Sequence, residues 1–151
     1  MNITIKQYTK ENVSDVIEFE LWLRKEESFW GWEIDDNYIK SIENSFSDEK
    51  FNNSISLLAY NDDRVVGRVD TCLITSRMDG STKAYLDWIC VVKSYRHQGV
   101  AQKLLSQLKS ELKSKGIDTL IALVASNEES LSFYRNVPNS EIRDSGIWIE
   151  I

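Results

Sequence analysis

The chain has 151 residues, 42% of them hydrophobic and 28% charged, with a formal net charge of −6. These values point to one soluble domain over 1–151 with a proper core, and the acidic balance argues against nucleic acid, whose phosphates need clustered Lys and Arg. No apolar run approaches the roughly 20 residues of a membrane span, and Met1 opens a polar strand-like segment instead of a signal peptide, so the expected compartment is the cytoplasm.

Residues 3–8 alternate apolar and polar and read as a strand. Thr9 can cap a helix in which Val13, Val16, Ile17, Leu21 and Phe29 mark one face. A weaker helix covers 37–46, with Ile39, Ile42 and Phe46 inward. Residues 54–60 form a strand, Asn61-Asp62-Asp63 a tight turn, and 64–75 the returning strand. Gly67 within that strand signals a bulge or a close neighbour. Asp79-Gly80 marks a turn before a buried strand over 84–92, which carries Asp87. Cys72 and Cys90 lie in apolar strand-like runs and read as reduced core cysteines.

Leu104, Leu105, Leu108 and Leu112 recur at helical spacing over 102–115, until Gly116. Residues 119–125 form a short apolar strand, expected to be fully buried. Asn127 opens a helix through Phe133 and Tyr134, and Pro138 ends it. After a turn at Asp144-Ser145-Gly146, residues 147–151 alternate again as a final strand, which could pair across a homodimer. The order β-α-α-β-β-β-α-β-α-β describes an α/β (α+β) domain with a mixed, mostly antiparallel sheet. Its central strands make an antiparallel meander, and the later crossover adds a parallel neighbour.

The stretch Arg96-His97-Gln98-Gly99-Val100-Ala101 joins the strand carrying Asp87 to the leucine-rich helix. The first N–H groups of a helix lack internal partners, and a glycine there lets an anion reach the main chain. A phosphate-bearing cofactor fits such a junction. A Walker loop would end in Gly-Lys-Ser/Thr, and a dinucleotide loop would carry three glycines after a first strand; neither is present.

Arg96, Gly99 and Ala101 match the Gln/Arg-x-x-Gly-x-Gly/Ala signature of the GCN5-related N-acetyltransferase superfamily (GNAT), which the chain resembles almost end to end. The resemblance implies the GNAT fold and an acetyl-coenzyme A co-substrate. The amides from Gln98 through Val100 to Ala101, helped by Arg96 and His97, would hold its pyrophosphate. Its pantetheine arm would lie along Ile89 to Val91, in a splay between that strand and the one over 119–125. A helix N-terminus contributes only ~0.3–1 kcal/mol toward one charge, so several amides and the cation must act together. His97 is the only histidine, and a plain surface position in the loop fits it better than a catalytic part. Asn127 fits two compatible roles, contact to the cofactor arm or helix cap.

Acetyl transfer needs a neutral amine and a proton for the leaving thiolate. Deprotonating an amine of pKa ~10.4 at neutral pH costs about 4–5 kcal/mol. The resemblance makes Tyr134 the acid, its hydroxyl facing the sulfur; a core aromatic beside Phe133 is the structural alternative. Asp87 interrupts an apolar strand, where a carboxylate is expected to be paired or to line a cavity, as a base, a substrate anchor or a salt-bridge partner. Tyr85-Leu86-Asp87-Trp88-Ile89 resembles a Tyr/Phe-Leu-Glu-Gly-Ile/Trp stretch of aminoglycoside 6′-N-acetyltransferases, with Asp for Glu and Trp for Gly.

Trp22, Phe29, Trp30 and Trp32 mix with Glu26, Glu27, Glu33, Asp35 and Asp36 in the region that walls the family's acceptor site. Aromatic faces with carboxylates suit an amine, which makes Trp22, Glu26, Trp30 and Asp87 the expected substrate-binding residues; a solvated acidic face over an aromatic cluster is equally ordinary. No metal is expected. After the tyrosine the chain departs from the family's usual x-Lys-x-Gly-Phe, reading Arg135-Asn136-Val137-Pro138-Asn139. The expected function is N-acetylation of a small cationic amine, aminoglycoside-like or polyamine-like, by direct attack in a ternary complex. The alternatives are a coenzyme A-binding regulatory or interaction module without turnover, and an acetyltransferase for a protein N-terminus or lysine.

Overall fold

A computed structural model describes residues 2–27, 33–144 and 146–151. Five strands form one sheet in the order β1 (Ile3–Gln7), β2 (Ser54–Asn61), β3 (Arg64–Thr75), β4 (Thr82–Val91) and β5 (Leu120–Ala122). The first four pair antiparallel in sequence, and β5 joins β4 in parallel. The helices are α1 (Val13–Glu26), α2 (Asp36–Ser45), α3 (Val100–Ser114) and α4 (Glu128–Arg135). This is the mixed α/β architecture that the residue pattern implies.

Both faces of the sheet are covered. Leu57, Leu58 and Ala59, consecutive in β2, are all fully buried, which alternation allows only when each face has a layer over it. On β3, Arg68 and Asp70 point toward α1, whereas Gly67 faces α3. A Cβ at Gly67 would stand 3.1 Å from Val100 Cγ1, 3.2 Å from Leu104 Cδ1 and 3.3 Å from the Cys90 carbonyl. The glycine therefore lets the first turn of α3 settle on the strand. The register of β2 against β3 also shifts beside it, between Ala59 and Tyr60, so both signals that Gly67 carries are present.

The α1 face is built around a charge cluster of buried Glu20 with half-buried Arg68 and Asp70. Arg68 Nη1 lies 3.1 Å from Glu20 Oε1 and its Nε 2.8 Å from Asp70 Oδ2. Ser56 Oγ donates to Asp70 at 2.7 Å, and the Tyr38 hydroxyl of α2 donates to Glu20 at 2.8 Å. Burial holds the Glu20 carboxyl above its ordinary pKa despite these partners. This cluster sets the rotation of α1: Val13, Val16, Phe19, Glu20 and Leu23 are buried. Leu21, expected inward, is 48% exposed, because one residue turns a helix by about 100° and Glu20 holds the inward position. Phe29, the other end of that expected stripe, lies outside the described residues.

Other expectations shift at the edges. Thr9 caps a short 3-10 turn, Lys10–Asn12, which leads into α1. No residue of α2 is fully buried; Ile42 packs on the core, while Phe46, expected inward, is partly exposed with its ring edge-on to Tyr8 at 5.0 Å. The strand expected over 119–125 is only three residues long, and Ile121 at 47% exposure rules out full burial. No strand forms over 147–151, where Trp148 is 77% exposed, because alternation alone makes no strand without a neighbour's backbone to bond. Cys72 and Cys90 are unbridged thiols. No helix among the described residues is long and apolar enough to cross a membrane.

Gly67→Ala drives a methyl against Val100 and Leu104 and should destabilise the protein by about 1–3 kcal/mol in urea titration. A midpoint and slope indistinguishable from wild type would show that α3 does not depend on this contact.

Candidate functional site

The pairing of β5 with β4 covers only Ala84–Leu120, Tyr85–Ile121 and Leu86–Ala122. β4 continues to Val91 while β5 ends, so among the described residues one edge of β4 has no strand beside it from Asp87 onward. That stretch contains Ile89 and Val91, and its other edge stays paired with β3 up to Val91–Gly67. A splay of this kind presents main-chain donors and acceptors to whatever enters it.

Beyond β4 a 3-10 turn, Lys93–Tyr95, leads to the loop. His97 at φ 57° and Gly99 at φ 82° both take the left-handed conformation, which costs a Cβ-bearing residue energy and a glycine almost none. Gly99 is the N-cap of α3, so no capping side chain covers the helix end, and the first-turn N–H groups of Val100, Ala101 and Gln102 have no intrahelical acceptor. Gln98 turns its side-chain amide back to the Ser94 carbonyl at 2.9 Å. His97 is exposed.

Arg96 is engaged within the protein. Its Nε donates to the Val91 carbonyl at 3.0 Å, its guanidinium bonds Glu27, and Nη1 lies 3.6 Å from Glu129. Glu26, the last residue of α1, uses both carboxylate oxygens internally, accepting from Trp22 Nε1 at 3.0 Å and from the Lys93 main-chain N–H. The end of α1 thus holds the first part of the segment between β4 and α3, at Lys93 and Arg96. Trp22 is half-buried and packs on the protein's own groups, with Arg64 stacked 4.3 Å from its ring centre and Tyr95 edge-on at 5.9 Å. Asp35 caps α2, accepting from the Tyr38 N–H at 2.8 Å. Trp30, with Phe29 and Trp32, lies outside the described residues.

Of the two expectations for Asp87, pairing and lining a cavity, the first is not met among the described residues. Asp70 pairs with Trp88 and Thr71 with Leu86, which leaves Asp87 as the extra residue of a bulge. Its side chain is exposed and makes no ion pair among the described residues. A bulge lets a carboxylate sit in an apolar strand without a burial cost, and it moves Trp88 to the face of Arg68, 5.7 Å from the guanidinium.

On α4, Asn127 is the N-cap, its side chain accepting from the Ser130 N–H at 2.8 Å. Tyr134 is half-buried, edge-on to Phe133 at 5.1 Å, and burial raises its pKa above the ordinary phenol value. Where the chain departs from the family's pattern the turn closes locally: Ser140 Oγ donates to the Tyr134 carbonyl at 2.7 Å and Asn136 Nδ2 to the Ser132 carbonyl at 2.7 Å. Burial likewise pushes the Cys90 thiol up to about 11, so it stays protonated at neutral pH. Among the described residues no cluster of three His, Cys, Asp or Glu could hold a metal ion.

Sequence reasoning passed over Glu129, and it read Glu27 only as part of an acidic wall. An acid in a first helical turn, as Glu129 is, reads as ordinary dipole compensation, and only the folded chain shows that it meets a cation.

The model of the acetyltransferase (GNAT) family matches residues 3–137. Over 83 residues the chain is 29% identical to N-alpha-acetyltransferase 30 of Schizosaccharomyces pombe, a match covering 54% of this chain and 55% of that protein. The chain thus spans about half the length of the curated relative it matches. An aminoglycoside acetyltransferase, meta-AAC0020, from an uncultured soil metagenomic sample superposes with a TM-score of 0.82 at 16% identity, over 99% of this chain and 96% of that one. The structure of AAC(6')-Iy with the bisubstrate analogue CoA-S-monomethyl-acetylneamine superposes at 0.77 with 18% identity, over 100% and 99%. At such identities the structural likeness speaks for the fold alone.

Glu26→Ala strips a partner from the Trp22 and Lys93 N–H groups and should lower stability by about 1–3 kcal/mol in chemical denaturation. Unchanged stability, with only acceptor KM altered, would instead assign Glu26 to the acceptor.

Proposed function

We propose that this chain, which belongs to the acetyltransferase (GNAT) family, moves an acetyl group from acetyl-coenzyme A to the primary amine of a small cationic molecule. The observation that carries this reading is the meeting of an unpaired β4 edge with a Gly99-capped helix end. The first accepts an extended amide-bearing arm, and the second an anion, at the spacing of one short loop. Main-chain groups of Ile89 and Val91 would hold the pantetheine arm, and the N–H groups from Gln98 to Ala101, with His97 beside them, the pyrophosphate. Arg96, turned toward Val91, Glu27 and Glu129, acts first on the shape of the loop. Asn127 shapes α4 as its cap.

Bound there, acetyl-coenzyme A supplies an activated thioester. The chain's part is to align the partners, exclude water and manage two protons. Tyr134 holds its proton throughout the neutral range, since burial favours the uncharged phenol, and so can donate it to the departing sulfur. Asp87, exposed on its bulge, offers a carboxylate to an incoming ammonium and a route for its proton to solvent. The protonated, largely buried Cys90 is a poor nucleophile, which favours direct attack by the amine over a covalent acyl-enzyme. An aminoglycoside-like or polyamine-like acceptor agrees with the net charge of −6 and with the Asp87 stretch. The sequence similarity to N-alpha-acetyltransferase 30 favours a second reading, in which the acceptor is a protein N-terminus.

Thiol release from acetyl-coenzyme A should rise above background with members of a panel of polyamines, aminoglycosides and N-terminal peptides. A panel wholly silent while coenzyme A still binds would leave a cofactor-binding module in place of the enzyme. Gly99→Glu should abolish coenzyme A binding in calorimetry, and retained binding would refute the loop's role. Tyr134→Phe should cut kcat on the order of 10²-fold with cofactor affinity kept. The pH profile follows: kcat/KM should climb as the amine loses its proton, with no descending limb below about pH 10, since the phenol titrates above its ordinary value. A fall between about pH 8 and 9.5 would remove Tyr134 as the acid.

A further inference from the structure

Arg96 and His97 of the loop approach one carboxylate. Glu129, in the first turn of α4, lies 3.6 Å from Arg96 Nη1 and 3.7 Å from His97 Nε2. The two acids on Arg96 differ in kind. Glu27 is 20% exposed and bonds the guanidinium directly, while Glu129 is 55% exposed and sits beyond the usual charge-assisted hydrogen-bond length of about 2.7–2.9 Å. Arg96 therefore has one fixed counter-charge and one loose one. The loose one comes from the helix that follows β5, whose pairing with β4 stops before Arg96 is reached.

We propose that Glu129 is a residue of the cofactor site: it serves as a counter-anion of Arg96, beside His97, in the free protein, and the cofactor's diphosphate takes its place. The inference rests on the coenzyme A reading given above. A diphosphate arriving at the N–H groups of α3 meets the same two side chains that Glu129 holds, so carboxylate and phosphate compete for them. The long, exposed contacts of Glu129 are readily exchanged for shorter phosphate ones. Glu27, nearer and more buried, keeps Arg96 against the Val91 carbonyl throughout, so the loop holds its form as the anions exchange. Glu129 thereby weakens the resting affinity for cofactor and gives Arg96 a second carboxylate in its absence.

The test is calorimetric titration of coenzyme A into wild type, Glu129→Gln and Glu128→Gln. Glu128 occupies the same helical turn and makes no ion pair among the described residues, so its substitution removes the same charge without the same contacts. Glu129→Gln should bind coenzyme A about five- to tenfold tighter than wild type in dilute salt, and Glu128→Gln within about twofold of wild type. Raising salt from about 20 to about 300 mM should remove most of the Glu129→Gln advantage, as screening shortens the reach of the lost charge. Equal effects of the two substitutions, or weaker binding by Glu129→Gln, would overturn the proposal while leaving the coenzyme A reading intact. Wild type that binds no coenzyme A at all would refute that reading, and this inference with it.

Discussion

The half-buried guanidinium of Arg68 is the constraint from which the site follows. A cation shut between sheet and helix needs carboxylates at bonding distance, and Asp70 on its own strand and Glu20 on α1 provide them. Because Glu20 must face Arg68, the rotation of α1 is set, and Leu21 is turned toward solvent in spite of its chemistry. The same rotation carries the end of the helix to the segment after β4, where Glu26 and Glu27 meet the Lys93 N–H and Arg96. Tyr38 extends the cluster to α2 by its bond to Glu20. One buried charge thus links the α1–α2 layer to the loop on which the proposed chemistry depends.

On the opposite face the constraint is steric. Gly67 lets α3 approach β3, and the position of α3 decides where its Gly99-capped end opens. The two faces therefore converge on the loop between β4 and α3, one through ion pairs and the other through packing. The mouth beside it results from unequal strand lengths, since β4 outruns β5. This division suits the proposed acetyl transfer, because packed elements hold the loop while the mouth's polar main-chain groups stay open.

How legible this was in the residues depends on the range of the interaction. Local signals read correctly: the leucine spacing of α3, the Asn127 cap, and glycine at the strand-to-helix junction each depend on neighbours in sequence. The loop was found for the same reason, since Arg96, Gly99 and Ala101 form one short signature. The failures are all matters of partner. The alternating residues 147–151 lack a neighbouring strand, the strand after α3 is shorter and more exposed than its composition suggests, and Asp87 goes without an ion-pair partner among the described residues on a bulge that only the pairing with β3 defines.

By itself, then, the sequence determined the element types and their order up to α4, the family signature and the positions of Tyr134 and the Gly99 junction, because helical and strand periods and turn chemistry act over a few residues. Only the tertiary structure decided that Glu26 and Trp22 face inward, that Arg96 lies between Glu27 and Glu129, and that Glu20 takes a core position from Leu21. Charges far apart in the chain were matched there because a buried or half-buried ion must find a counter-ion. Which counter-ion it finds depends on three-dimensional proximity, which no local pattern encodes.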